Sequence, residues 1–347
     1  MSVPKNPRKK AHSSVTIVDV AREAGVSYST VSRVFSGFEF VNEETRRKVV
    51  AAAERLGYVV NLQARSLAGG RSNIIGLLVP GIDNGYISEI VKGIDQELAH
   101  SQYDLMLYTT HRYEGKEAYY VKLIANGLVD GLILLVPLII ENYLQALPTQ
   151  DFPYVLVDQV YNERPSTTVD VTNWQGAYDL TNYLFSLGHT RIGFIAGLNE
   201  LNSASERLDG YRAALKQQRV AYNPALVAEG DYTPGGGYRA GLNLLRLPER
   251  PTAIFAANDL SAFGAMDAAR EFNLDIPGDI SIVGFDDIPQ ASIVYPKLTT
   301  VRQPLIQMGQ VAVRLLLEKL DNPEKEARRV TLGTELVIRD SCAPPKA

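Results

Sequence analysis

Short apolar runs alternate with amphipathic segments over most of the chain, from about residue 73 onward. The apolar runs have the length of buried strands, and the segments between them repeat apolar residues at helical spacing. Predicted strands lie at 74–79, 104–109, 131–136, 154–158, 192–196, 253–257 and 281–285. Predicted helices lie at 88–101, 115–126, 174–186, 205–217, 235–245, 260–272 and 305–320. The alternation predicts a parallel sheet with helical crossovers and favours two doubly wound α/β units in tandem.

A different pattern, three short helices, occupies the amino-terminal region. Thr16 and Asp19 have the spacing of a capping box, which marks the start of the first helix. Gly25 can supply the positive φ of a tight turn, and Ser27 can cap the helix that follows. Asn42 can act as the N-cap of a third helix, which should end at a glycine. The pattern therefore predicts helices at 17–24, 28–35 and about 43–56.

The first two of these helices have the features of a DNA-binding helix-turn-helix. Ala21 is a small residue that permits close helix contact, and Val31 is a buried apolar anchor. The exposed face of the second helix carries hydrogen-bonding side chains and no acidic group, so it could reach base edges in a major groove. That face consists of Tyr28, Ser29, Ser32 and Arg33. An ordinary helical hairpin would explain Ala21 and Val31, but it does not require such a face.

The distribution of charge separates the same two regions. Residues 1–71 contain twelve Lys/Arg and six Asp/Glu, whereas the remainder contains 23 and 33, although the whole chain carries only −4. A basic head on an acidic body indicates that the head alone meets a polyanion. A small domain can also be basic by chance, so the charge supports the helix-turn-helix prediction without establishing it.

Composition excludes several classes of protein. No apolar run approaches the roughly 18 residues of a membrane helix, and no signal-peptide pattern follows the first Met, so we expect a cytoplasmic protein without a membrane partner. The single cysteine, Cys342, and four scattered histidines predict no disulfide, no metal site and no cofactor. No Ser or Cys nucleophile is paired with a His, which argues against catalytic residues and an enzyme.

Polar residues follow several of the predicted strands. In open α/β sheets ligands bind beyond the carboxyl ends of the strands. Asp158, Asn258 and Asp286 occupy such positions, and Arg207 lies early in the helix after 192–196. Carboxylates and amides can each bind sugar hydroxyls, and an aromatic ring can cover the apolar face of a sugar. The sequence therefore predicts a site for a polyhydroxylated ligand, with Tyr86 or Tyr232 as the aromatic residue.

Together these segments resemble the LacI/GalR family of transcription regulators. VTIVDVAREAGVSYSTVSRVFSG is similar to the family's head, and NEETRRKVVAAAERLGYVVNLQARSLAGGRS is similar to its third helix and hinge. AANDLSAFGAM, IVGFDD, ERLDGY and LTTVRQP are similar to segments that line the effector site between the lobes of the core. The last of these adds Gln303 to the effector-site residues.

The resemblance implies how the head would contact DNA. Tyr28, Ser29 and Arg33 would read base edges in the major groove. A hinge at 61–68 would form a short helix only on DNA and end in a Leu-Ala pair, Leu67 and Ala68, with Leu67 as a minor-groove wedge. Phosphate contacts would come from Thr16, Ser27, Thr30, Ser32 and Asn61.

The resemblance also implies an α + α/β organisation, with a helix-turn-helix headpiece and a periplasmic-binding-protein-like core of two doubly wound α/β subdomains. We expect a basic flexible tail at 1–13, a head at 14–60, a hinge and linker at 61–72, and a core at 73–342. The core subdomains would comprise 73–170 with 304–332, and 171–303 with 333–342.

This organisation predicts a homodimeric repressor that binds a palindromic operator in double-stranded DNA under the control of a small polar effector. The predicted effector is a carbohydrate; a purine or other corepressor and a phosphoprotein co-regulator remain alternatives. A transport binding protein could share the core fold, but the missing export signal and the added head argue against it. An enzyme acting on a sugar or nucleotide in the same cleft is a further alternative, for which the sequence offers little support.

Overall fold

The computed structural model of the protein describes residues 15–35, 40–58, 71–111, 116–149, 151–161 and 163–346. Its contacts divide the chain into two compact units, which are residues 1–73 with 127–129, and residues 74–126 with 130–347. We call the first unit the head and the second the core. No helix among the described residues is long and apolar enough to cross a membrane.

The described part of the head contains three helices, α1 (Ile17–Ala24), α2 (Tyr28–Phe35) and α3 (Glu43–Leu56). The Asp19 carboxylate accepts from the Thr16 amide at 2.9 Å and the Thr16 side chain faces the Asp19 amide, which confirms the predicted capping box. Gly25 adopts a φ of 67° between the first two helices. The helices enclose a small apolar cluster of Val20, Ala21, Val31, Val34, Val49, Ala52 and Ala53.

The core contains the strands β1 (Ile74–Val79), β2 (Asp104–Thr109), β3 (Gly131–Leu135), β4 (Tyr154–Val157), β5 (Thr168–Val171), β6 (Ile192–Ile195), β7 (Val227–Ala228), β8 (Ala253–Ala256), β9 (Ser281–Val283), β10 (Thr300–Arg302), β11 (Arg329–Leu332) and β12 (Glu335–Val337). Six of them form a parallel sheet in the order β2-β1-β3-β4-β5-β11. A second parallel sheet has the order β7-β6-β8-β9, and β10 pairs with β12 in antiparallel fashion.

The helices of the core are α4 (Gly85–Leu98), α5 (Lys116–Ala125), α6 (Ile140–Gln145), α7 (Asn173–Ser186), α8 (Asn202–Gln217), α9 (Pro234–Leu245), α10 (Asp259–Glu271) and α11 (Leu305–Asp321). Side chains of α4 and α11 pack into the apolar cluster of the first sheet. Side chains of α7 and α8 pack on one part of the second sheet, and those of α9 and α10 on another. The predicted class, a helical head with a core of two α/β units, is confirmed.

Some boundaries and short strands differ from the prediction. The helix expected at 88–101 begins three residues earlier, because the Asn84 carboxamide accepts a hydrogen bond from the Ile87 amide at 2.9 Å and caps it. The strands β5, β7, β10, β11 and β12 and the helix α6 were not predicted. Each spans two to six residues, which is too short for a periodic pattern to stand out.

Candidate functional site

A cavity of about 80 Å³ in the core lies beyond the carboxyl ends of strands from both sheets. Six of the seven predicted effector-site residues line it, namely Tyr86, Asp158, Arg207, Tyr232, Asn258 and Asp286. The seventh, Gln303, is not on the cavity wall but donates from its Nε2 to an Asp286 carboxylate oxygen at 2.6 Å. The structure thus brings together side chains that are separated by up to 200 positions in the sequence.

Arg207 is the buried cation of this site. Its Nε donates to the Asn173 Oδ1 at 2.9 Å, and its Nη1 donates to the Ala257 carbonyl at 2.6 Å. The same Nη1 lies 3.4 Å from a carboxylate oxygen of Asp286. The guanidinium also stacks over the Phe285 ring, 3.9 Å from its centroid. Such a set of contacts fixes the plane of the guanidinium and offsets the cost of burying its charge.

Two buried carboxylates face this single cation. Burial raises the pKa of Asp158 to about 6, although the Arg207 guanidinium opposes the rise. Burial also raises the pKa of Asp286 to about 7; Arg207 again opposes the rise, and the nearby Asp158 carboxylate adds to it. Negative charge in the cavity is therefore only partly compensated, which favours a ligand that donates hydrogen bonds.

Several buried polar atoms at the site have no hydrogen-bond partner of acceptable geometry in the described part of the chain. They include the hydroxyls of Tyr86 and Tyr232, the Oδ1 of Asp158 and the Oε1 of Gln303. Buried polar atoms are almost always hydrogen-bonded in folded proteins. Three of these atoms belong to residues on the cavity wall, where the Tyr86 hydroxyl faces Asp158 and the Tyr232 hydroxyl faces Ser203. A polar ligand bound there would complete their hydrogen bonds.

Four of the nine non-glycine residues with positive φ in the described part of the chain line the same cavity. Val136, Asp158, Tyr232 and Asp286 line the cavity and have positive φ angles of 51°, 57°, 65° and 117°. Non-glycine residues adopt such angles at a cost that the surrounding structure must balance, and they cluster at ligand sites. The strain supports the assignment of the cavity as a binding site.

Sequence reasoning missed some residues of the site. Asn84 and Ser203 line the cavity, and Asn173 orients Arg207 from the first turn of α7. Asn84 follows β1, so the rule that polar residues follow strands could have found it. The N-cap of α10 is Asn258, whose Oδ1 accepts from the Ser261 amide at 2.9 Å. The carboxylate of its neighbour Asp259 instead accepts from the Thr300 hydroxyl and the Ile288 amide.

In the head, the residues predicted to contact DNA differ in their exposure to solvent. Tyr28, Ser29 and Arg33 of α2 are exposed, as are Thr16 and Ser27, whereas Thr30 and Ser32 are half-buried. No acidic residue occurs in α2. The hydroxyl of Ser27 lies 2.8 Å from those of Ser29 and Thr30, so these side chains form one polar group at the start of α2. The predicted tail 1–13 and the hinge residues Asn61, Leu67 and Ala68 lie outside the described residues.

Several basic residues of α3 pair with acidic residues of the same helix, whereas Arg55 pairs with Glu23 of α1. Arg47 lies 3.6 Å from the Glu43 carboxylate, and Lys48 lies 2.8 Å from that of Glu44. Exposed pairs of this kind contribute little to stability and can rearrange near another anion. The described residues contain no cluster of His, Cys, Asp or Glu that could hold a metal ion.

Comparison with protein families gives two matches. Residues 16–61 match the model of the bacterial regulatory proteins of the lacI family, and residues 181–342 match the model of the periplasmic binding protein-like domain. The first match covers the three helices of the head, and the second covers the second sheet with most of the cavity residues.

Individual proteins are similar over nearly the whole chain. Catabolite control protein A of Priestia megaterium is 35% identical over 94% of this chain and 99% of its own length. The HTH-type transcriptional repressor PurR of Pectobacterium atrosepticum is 35% identical over 94% of this chain and 97% of its own length.

Two solved structures extend the comparison to three dimensions. The lac repressor dimer bound to operator and the anti-inducer ONPF has a TM-score of 0.81 at 31% identity and covers 95% of this chain and 100% of its own. A LacI family transcriptional regulator from Enterococcus faecium with bound ribose has a TM-score of 0.71 at 30% identity and covers 79% of this chain and 100% of its own.

Proposed function

The chain belongs to the lacI family of bacterial regulatory proteins, and from that premise we propose that a small sugar bound in the core cavity controls the affinity of the head for its operator. As a member of that family it is a DNA-binding transcription regulator and not an enzyme. The predicted lobes of the core, 73–170 with 304–332 and 171–303 with 333–342, would close over the sugar. The strands of the two sheets fall within these ranges, with β5 at the boundary, which supports the division.

One observation carries the choice of a sugar. Two buried carboxylates and one buried arginine meet at a cavity where the Tyr86 and Tyr232 hydroxyls and the Asp158 Oδ1 have no hydrogen bond of good geometry. Carboxylates accept hydrogen bonds from the paired hydroxyls of a sugar, and a guanidinium donates to its oxygens. The cavity is small compared with the roughly 300–1,000 Å³ of common ligand sites, which favours a monosaccharide over a longer chain. The relative with bound ribose supports the same class.

For the head we propose that α2 enters the major groove of the operator. Tyr28, Ser29 and Arg33 would read base edges, because they form the exposed face of α2. Phosphate contacts are assigned to Thr16, Ser27, Thr30, Ser32 and Asn61. Leu67 and Ala68 would act in the hinge, with Leu67 as the minor-groove wedge. Two copies of the chain would place two heads on a palindrome.

The test begins with selection of binding sites from a random DNA duplex pool by the full-length protein. We expect a palindrome to be enriched, and we expect Arg33→Ala to weaken binding to it by about 10-fold or more and to relax one base preference. Arg55→Ala is the matched control, because Arg55 is paired with Glu23 on the head and lies outside α2. Equal binding of all sequences by both proteins would refute the specific-reader role.

The selected operator then reports on the effector. We expect D-ribose or another monosaccharide in a panel with D-glucose and D-galactose to change operator affinity, by about 5- to 150-fold. Asp158→Asn should abolish the response and keep operator binding, whereas Asp209→Asn, an exposed control, should keep both. A response to guanine or hypoxanthine and to no sugar would replace the sugar with a purine.

A further inference from the structure

Asn173 connects Arg207 to a further acidic residue, Glu206, which does not line the cavity. Its Oδ1 accepts a hydrogen bond from the Arg207 Nε at 2.9 Å, and its Nδ2 donates one to the Glu206 Oε2 at 3.2 Å. Asn173 is buried and is the first residue of α7, while Glu206 and Arg207 are neighbours on α8. One carboxamide therefore holds two successive side chains of another helix.

The helices α7 and α8 approach closely enough for this contact because position 210 is glycine. A Cβ at Gly210 would lie 2.3 Å from the Trp174 carbonyl oxygen, which is closer than atoms can pack. The close approach brings the first turn of α7 beside the first turns of α8. The polar contact between Asn173 and Arg207 thus depends on backbone packing that is fixed one turn away.

Glu206 also faces the first sheet. Its Oε1 lies 3.9 Å from a guanidinium nitrogen of Arg329, and the Arg329 Nε donates to the Asp170 Oδ2 at 2.7 Å. Asp170 and Arg329 stand on the adjacent strands β5 and β11 of the first sheet, whereas α8 packs on the second sheet. Polar contacts therefore run from the cavity arginine to the sheet on the other side of the core.

We propose that Asn173 and Glu206 are positioning residues for effector recognition, which fix the Arg207 guanidinium in the cavity and tie it through Arg329 to the first sheet. The proposal rests on the proposed function, because it takes Arg207 to bind the effector. A guanidinium held at Nε can rotate little about its side chain, so the contacts of its Nη1 with the Ala257 carbonyl and with Asp286 keep their geometry at the cavity. Without Asn173, the buried Nε would lose its acceptor.

The experiment exchanges donor and acceptor between the two positioning residues. Asn173→Ala removes both hydrogen bonds. The double variant Asn173→Asp/Glu206→Gln restores both with the net charge unchanged, because the new carboxylate at position 173 would accept from Arg207 and from the new carboxamide at position 206. In calorimetric titrations with D-ribose, we expect Asn173→Ala to weaken binding by about 10-fold or more and the double variant to stay within about 3-fold of the unmodified protein.

A second readout needs no sugar. The ¹H–¹⁵N resonance of the Arg207 Nε–H, assigned by its loss in Arg207→Lys, should be protected from solvent exchange in the unmodified protein and in the double variant. Protection should be lost in Asn173→Ala and reduced in Arg329→Met. Arg328→Met is the control, because Arg328 is an equally exposed neighbour that pairs with Glu318; it should change nothing.

The outcomes separate the two proposals. If the unmodified protein does not bind D-ribose, the choice of that sugar is refuted and the Nε–H resonance alone decides the positioning proposal. Full protection of that resonance in Asn173→Ala would overturn the positioning role. Loss of protection in the double variant to the same extent as in Asn173→Ala would also overturn it, since both hydrogen bonds are then present without effect.

Discussion

At the scale of single residues, the site is defined by charges that are buried without full compensation. Asp158 and Asp286 share the cavity with one cation, and burial raises their pKa values to about 6 and 7 against the opposing charge of that cation. The pattern of apolar runs in the sequence predicted that both residues follow strands. It could not predict their pKa, which depends on burial and on neighbours from other elements.

Asp158→Asn should change how stability depends on pH. The folded protein holds the Asp158 proton more tightly than the unfolded chain does, because its pKa rises from 3.8 to about 6. Stability therefore falls as the pH rises through this window and is level above it. The variant lacks this loss, so its free energy of unfolding relative to the unmodified protein should increase between about pH 4 and 6, by on the order of 3 kcal/mol.

Urea unfolding at pH 4.5, 5.5 and 7 measures the effect. Asp267→Asn is the control, because Asp267 is exposed and forms only a surface pair with Arg270. Its difference from the unmodified protein should stay nearly constant over the same range. A constant difference for Asp158→Asn as well would mean that the raised pKa is wrong.

At the scale of elements, local sequence signals set helix ends, whereas close packing between helices depends on glycines at crossings. The helices α4 and α11 cross with their backbones in contact, because each presents a glycine to the other. A Cβ at Gly93 would lie 2.0 Å from the Ile306 carbonyl oxygen, and a Cβ at Gly309 would lie 2.2 Å from that of Ile90. The capping signals could be read from neighbouring residues, but the crossing pairs positions more than 200 apart.

Gly309→Ala should destabilise the core even though alanine favours helix. The gain in helix propensity is about 1 kcal/mol, but the added methyl would contact a backbone carbonyl that cannot move aside alone. We expect a net loss of about 1–3 kcal/mol in the free energy of unfolding.

Chemical denaturation compares this variant with Gly333→Ala, whose added Cβ would meet no atom within 4 Å. The control should stay within about 0.5 kcal/mol of the unmodified protein. Equal stability of both variants would show that the two helices can separate without cost.

At the scale of the whole molecule, the two parallel sheets of the core are joined by contacts beside the cavity. Gln159 is one of these contacts, since it follows β4 of the first sheet and reaches the segment before α8. Its Nε2 donates to the Glu200 carbonyl at 2.9 Å, and its Oε1 accepts from the Asn202 amide at 3.0 Å. A buried carboxamide with this pair of bonds links the end of β4 to the start of α8 beside the cavity.

Gln159→Ala should remove the hydrogen bonds of Gln159 to the Glu200 carbonyl and the Asn202 amide. We expect amide hydrogen exchange of a peptide spanning 198–206 to accelerate by about 5-fold or more, because the Asn202 amide loses its acceptor and the segment opens more often. A peptide spanning 253–258 in the second sheet should keep its rate.

Gln96→Ala provides the comparison, because Gln96 is exposed and bonds to Gln310 across the surface of two helices. The exchange rate of the 198–206 peptide should not change in Gln96→Ala. An unaltered exchange rate of this peptide in Gln159→Ala would show that Gln159 does not hold the 198–206 segment in place.

The sequence by itself determined the head, the alternation of strands and helices, and the positions after strands from which several cavity residues come. These features depend on neighbours within a few residues: the capping box at Thr16, the turn at Gly25 and the apolar spacing through Val31 are all local. The resemblance to known regulators added Gln303, which the structure places behind Asp286 rather than on the cavity wall.

Only the tertiary structure decided which of these residues meet. The pairing of β5 with β11, the contact of Asn173 with Arg207 and the bridge from Glu206 to Arg329 join segments that lie 34 or more positions apart. No periodicity encodes such pairs, because they form when two sheets and their helices pack into one core. Burial in that core also raises the carboxylate pKa values, so the chemistry of the cavity is a property of the folded chain.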